Sequence, residues 1–238
     1  MTLKAGVNGA LYLSKYDLSG VVNKFEPSFK RPLIDGTCMG AAGRQSTPGL
    51  YEDSFTFDAF YDLPADIGTE LTALRTATAV HICSLCLGTT QGEKAVAGEG
   101  AWAEDLPIDI PVDGLIRVAG SFKFEGLART GIVLQAKATK TSDGNGTVVT
   151  DAAATTAGAE AYLHVFSCTT ATNLVVKVQT DTAANFPSAT DLISFTAASA
   201  ATSERKTVTG AVEQYVRVSY SATWGGGSAS FAVIWARL

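Results

Sequence analysis

Residues 54 to 61 read SFTFDAFY, which sets Phe55, Phe57, Ala59 and Tyr61 on one side of the chain. A period of two fits an extended strand with one face in a core and the other towards water. Residues 116 to 125, IRVAGSFKFE, repeat the pattern, with Ile116, Val118, Phe122 and Phe124 opposed to Arg117, Ser121, Lys123 and Glu125. A helix would scatter these side chains around its axis. The two segments therefore predict half-buried strands of an antiparallel sheet.

Further strands are expected at 161–166, 174–180, 191–196, 205–210, 214–220 and 230–236, at the spacing of a sandwich of two antiparallel sheets. DGNG at 143–146 reads as a turn, and Gly225 to Gly227 as a second turn between strands. The Ala- and Thr-rich segment 150–161 has no apolar period and reads as a connection. VHICSLCLG, 80–88, is a continuous apolar run that predicts a strand buried on both faces. One segment breaks the β pattern: Ile67, Leu71 and Leu74 recur at helical spacing after Asp66, an N-cap, with Pro64 upstream. This predicts a short amphipathic helix over 66–77. The texture changes near Gly131, which predicts two domains, 1–131 and 132–238.

The chain has 238 residues and 17% charged residues, below the roughly 25% of an average soluble domain, so its surface must be rich in Thr, Ser, Ala and Gly. Residues 1–131 hold 11 Lys and Arg against 16 Asp and Glu, and residues 132–238 hold 7 against 7, so the net charge of -5 lies in the first part. No basic stripe offers a grip on phosphates. No run of about 18 apolar residues predicts a membrane span, and MTLKAGVNGALYLSKYDLSG lacks the unbroken apolar stretch of a signal peptide.

Chemical motifs are few. Cys83 and Cys86 form a C-x-x-C, but within an apolar strand and without a second pair that would complete a zinc site. With Cys38 and Cys168 they read as reduced thiols, the two of the motif as buried packing residues. His164 alternates with Tyr162 and Phe166 and reads as a packing histidine. Glu104, Asp105, Asp109 and Asp113 match no calcium loop and read as an extended, solvated stretch. No catalytic, cofactor or metal residue is expected. Residues 31–50, RPLIDGTCMGAAGRQSTPGL, lack any period, and a loop this long inside a domain asks for a partner.

The run YDLSGVVN (16–23) followed by TCMGAAGRQSTPGLYEDSFTFDAFYD (37–62) resembles the N-terminal region of siphophage major tail tube proteins. That region has a polar turn and strand, a T-x-x-G loop, P-G-L, then a strand of alternating aromatic and small residues ending near F-Y-D. Thr37, Gly40, Pro48, Gly49, Leu50, Phe55, Phe57, Phe60, Tyr61 and Asp62 match this outline. CMGAAG departs from it, being smaller and more apolar. The second half is similar to the C-terminal β-sandwich, Ig-like or galactose-binding-like, appended to some of these proteins.

The resemblance implies a mainly β fold: an N-terminal tail-tube β-sandwich or half-barrel with one flanking short α-helix, plus a C-terminal antiparallel β-sandwich projecting as decoration. It implies a structural virion protein, assembled in the host bacterial cytoplasm, whose homo-oligomeric rings, usually of six subunits, stack into the tube through which DNA passes unbound. Tape measure, tail terminator and distal tail proteins are the further partners implied. The interface loop would comprise Thr37, Cys38, Met39, Gly40, Arg44, Gln45, Pro48, Gly49 and Leu50. An acidic lumen wall is the expected use of the charge in 1–131. Two other readings compete. One is another decoration protein or adhesin whose sandwich binds cell-surface carbohydrate on a platform of Trp224 and Tyr220; the other is a redox enzyme acting through Cys83 and Cys86.

Overall fold

The computed structural model describes residues 9–38, 43–60, 80–100, 102–150 and 153–238. All regular structure among them is β. This corrects the expected fold class: the described fold has no flanking helix. Residues 66–77, to which the sequence assigns it, lie outside the described residues. The signal behind it is weak, because a helix of about three turns is marginal in water without tertiary support. No helix among the described residues is long and apolar enough to cross a membrane.

The chain divides into two compact units, one of Met1–Gly20, Ile82–Ala97 and Arg129–Leu238, the other of Val21–His81 and Gly98–Ala128. A cut after 131 would fall inside a strand, β12 (Arg129–Lys140), whose first residues pair with β8 (Lys94–Glu99) through Arg129↔Ala97 and Ile132↔Lys94.

The larger unit is built on an eight-stranded sheet. Its order is β18 (Thr202–Val208), β15 (Ala159–Thr169), β20 (Ser228–Arg237), β12, β8, β7 (Ile82–Cys86), β1 (Ala10–Leu13) and β2 (Tyr16–Asp17). Period-two alternation gives its central strands two buried faces. On one, Leu134, Leu163, Phe231, Val233 and Trp235 pack against Val176, Val178, Val216 and Val218. The latter belong to β16 (Thr172–Asp181) and β19 (Tyr215–Thr223) of a second sheet, which also holds β13 (Gly144–Asn145), β14 (Val149–Thr150) and β17 (Thr190–Ser194). DGNG therefore supplies a short strand rather than a free turn. The turn from β19 to β20 does fall at the Gly run, with Gly225 and Gly226 at φ 53° and 79°.

On the opposite face Tyr12, Ile82, Cys86, Tyr162 and Ile234 form a second cluster. It forms because the sheet curls: Tyr12 on β1 comes within 5.6 Å, ring to ring, of His164 on β15, five places away in strand order.

The smaller unit holds a five-stranded sheet of order β10 (Ile108–Asp109), β11 (Arg117–Lys123), β6 (Ser54–Phe60) and β3 (Val22–Ser28), with β9 (Trp102–Asp105) also on β11. Phe55, Phe57, Ala59, Val118, Phe122 and Phe124 are buried, as the alternation predicts. Phe55 and Phe122, direct cross-strand partners, stack with centroids 5.0 Å apart. Between β3 and β6 the chain forms a separate two-stranded ribbon, β4 (Leu33–Asp35) with β5 (Ser46–Pro48).

Candidate assembly surface

The ribbon occupies the stretch that the sequence marks as lacking a period. Leu33 pairs with Pro48, Ile34 with Thr47 and Asp35 with Ser46. The ladder continues outwards through Gly36 N to Gln45 O (2.9 Å) and inwards through Gly49 N to Pro32 O (2.7 Å) and Glu52 N to Lys30 O (2.9 Å). Pro48 is tolerated because a ribbon has two outer edges that need no donor. Among the described residues from 29 to 52, all but Gly49 are exposed.

Asp35 organises the tip. It accepts from Thr37 N (3.0 Å), Thr37 Oγ1 (2.6 Å) and Arg44 Nε (3.2 Å). These bonds, those of Thr37 first, hold its carboxyl below the ordinary range. Thr37 Oγ1 in turn accepts from Gln45 N at 3.0 Å. The structure thus brings together Thr37, Arg44 and Gln45 of the expected interface set. Pro48, Gly49 and Leu50 lie on the return strand or just past it, and the Cys38 thiol is exposed near Gly36 O. Met39 and Gly40 lie outside the described residues.

At the base, Arg31 Nε donates to Gly49 O (3.0 Å) and its guanidinium covers the Tyr51 ring at 4.8 Å. Asp53, fully buried, accepts from Lys30 N (3.2 Å) and Ala128 N (2.9 Å), and its own carbonyl accepts from Phe124 N (2.9 Å). A buried carboxylate on backbone donors is a strong fixture, so the ribbon is an arm with an anchored root. Among its exposed side chains are large apolar ones: Leu33 is 69% exposed and Leu50 86%. Sequence reasoning passed over Asp35, Leu33 and Ile34, although LID is the one apolar and acidic word in that stretch.

The chemical alternatives find little geometry. On β7 the side chains of Cys83 and Cys86, three residues apart, point to opposite faces of the sheet, so the motif cannot close a disulfide or share a metal. Both thiols are buried, and burial pushes Cys86 up to about 12. No cluster of three or more potential metal ligands occurs among the described residues.

Ser84 and His164 do form a hydrogen-bonded pair, Oγ to Nε2 at 2.8 Å, while His164 Nδ1 lies 2.7 Å from Ser14 O. A carbonyl only accepts, so Nδ1 carries the proton and Nε2 accepts from Ser84. This is the arrangement of a base and its nucleophile, but both residues are fully buried, out of reach of a substrate. Its effect is structural, since it ties β7 to β15 across the curl of the sheet. Trp224 donates from Nε1 to Asp143 at 2.7 Å and packs on the larger unit's core, and Tyr220 is buried edge-on to Phe231. Neither ring is presented as a flat platform for a sugar.

Burial holds His164 down to about 4, against the Ser14 carbonyl bond and the Asp17 charge, which both favour the proton. The unfolded chain therefore takes up a proton below about pH 6.5 that the folded protein refuses. Stability is complete above pH 6.5 and is expected to fall by about 2 kcal/mol at pH 5 and about 3 at pH 4. Urea midpoints across this range measure it. A His164→Gln variant should show a flatter profile above pH 5, and an unchanged slope would assign the effect elsewhere.

No family model matches the chain, and no curated protein matches it. Among solved structures it is similar to a chain in the virion of a native gene transfer agent particle, at 13% identity and a TM-score of 0.42, over 54% of this chain and 98% of that one. A chain of the SPP1 tail tube gives 13% and 0.43, over 52% and 77%. SPP1 Dit, described as a hub adsorption apparatus protein, gives 12% and 0.40, over 95% and 98%.

Proposed function

We propose that this chain is a structural subunit of a phage tail that assembles with copies of itself into stacked rings forming the tail tube. The observation that carries this reading is the arm: an anchored two-stranded ribbon with Leu33, Ile34 and Leu50 facing water. A two-stranded ribbon is marginal alone, and exposed apolar side chains on it gain free energy only when a partner covers them. The sequence resemblance to tail tube proteins falls on the same residues, Thr37 to Leu50 and the strand that follows.

The proposal requires no cofactor and no catalytic group. Negative-stain electron microscopy of the purified chain, with sedimentation velocity, tests it: rings or hollow rods are expected as concentration rises. A single monomer boundary at every concentration would refute it.

A further inference from the structure

The smaller unit has a second apolar surface, at residues 106–116. Ile108 belongs to β10, an edge strand of the five-stranded sheet. Ile110 is 70% exposed and Val112 100%, with Leu115 also turned to solvent. Single exposed apolar residues are ordinary on a surface, but a run of them is not. Ala103, Glu104, Asp105 and Leu106 line an open depression of about 330 Å³ beside this run.

The two surfaces differ in charge. Residues 103–116 hold Glu104, Asp105, Asp109 and Asp113 and no Lys or Arg. Glu104 is paired with Lys123 at 2.7 Å, whereas Asp109 and Asp113 have no ion-pair partner among the described residues. The arm, 29–51, holds Lys30, Arg31 and Arg44 against Asp35 alone. Arm against arm would oppose like charges, and so would edge against edge. Arm against edge joins opposite charges around apolar side chains on both sides.

Their places in the sheet also differ. The arm leaves from β3, at one edge, at the end where Ser28 pairs with Ser54 and Ser54 with Lys123. The strand β10 lies at the other edge, beside Val118 and Arg117, at the end where Arg117 pairs with Phe60. The two surfaces therefore occupy diagonal corners of one sheet. A contact between unlike patches of identical subunits repeats head to tail, closing into a ring or extending as a filament.

We infer that the arm of one copy docks on the acidic, apolar edge at 106–116 of the next copy. This rests on the self-assembly proposed above and adds which surface receives the arm. The apolar contact of Leu33 and Leu50 with Ile108, Ile110 and Val112 supplies affinity, and Arg31 and Arg44 facing Asp109 and Asp113 fix the direction.

Two single variants test the pairing in the full chain. Leu50→Asp disables the arm and leaves the edge, and Val112→Asp disables the edge and leaves the arm. Both side chains are exposed, so circular dichroism and melting should match the wild type. Each variant alone should raise the concentration needed for assembly by more than about tenfold. Mixed in equal amounts they should form a heterodimer that grows no further, because only one arm and one edge remain competent. That heterodimer should weaken as salt is raised.

If the wild type forms rings or rods but the mixture stays monomeric, or if either variant assembles like the wild type, the arm-to-edge pairing is wrong and the self-assembly reading stands. If the wild type itself stays monomeric at every concentration, both fall.

Discussion

Replacing Trp235 by alanine should destabilise the larger unit by about 4 kcal/mol. Trp235 is the largest fully buried side chain on β20 and sits in the cluster that joins the two sheets. Its neighbours come from β12, β15, β16 and β19, strands fixed by their own ladders, so the site cannot collapse to fill the space. A domain's stability is typically 5–15 kcal/mol, and this loss removes a large part of it. Trp235→Phe should behave differently. The indole N–H has no hydrogen-bond partner among the described residues, so removing it forfeits no bond with them, and the cost should stay within about 1.5 kcal/mol. Urea denaturation followed by far-UV circular dichroism distinguishes the two. Equal losses for Ala and Phe would show that the ring fills less of the core than its burial indicates.

Gly131→Ala should lower stability by about 3 kcal/mol, against the usual gain from replacing glycine in a strand. A Cβ at 131 would lie 2.1 Å from the Trp235 carbonyl oxygen and 2.8 Å from its carbon, both backbone atoms of the neighbouring strand. A side chain could rotate away, but β20 cannot move without breaking its ladder with β15 on its other side. For a chain of this size the expected fall in melting temperature is about 6–12 °C. The Cβ of Ala236 also lies close, at 3.0 Å. Adding Ala236→Gly should therefore not restore the melting temperature. Restoration would place the clash with that side chain instead of with the backbone.

Strands with one face in the core were readable from sequence because alternation survives in the residues themselves. Phe55, Phe57 and Ala59 are buried where the pattern puts them, as are Val118, Phe122 and Phe124. The long β12 escaped for a physical reason. Its partner register with β20 shifts between Val133 and Gln135 and again between Gln135 and Ala138, and each irregularity interrupts the period of two. Strands β1 and β8 are short and mostly buried on both faces, so ALYL and KAVAGE show no alternation to read.

The arm was half legible. Residues 31–50 declared the need for a partner through length and lack of period, but a ribbon held by Asp35, Thr37 and Gln45 depends on pairings eight to fifteen residues apart. In the sequence the acidic edge reads as solvated from Glu104, Asp105, Asp109 and Asp113. The apolar residues between them carry the inference drawn from it, and only the strand order shows that they lie across the sheet from the arm.

The position of β20 in the large sheet sets a timetable for biosynthesis. It follows every other strand in sequence yet inserts between β12 and β15. Until the ribosome has delivered it, β12 and β15 each present an open interior edge, the kind of edge that templates mispairing. Roughly a hundred residues separate β12 from β20, and at typical translation rates the gap lasts about 5 to 20 s. The five-stranded sheet draws only on segments made earlier and meets no such delay. A nascent chain is thus expected to expose its arm before it owns a finished core, leaving a window in which chaperones or neighbouring nascent chains meet it first.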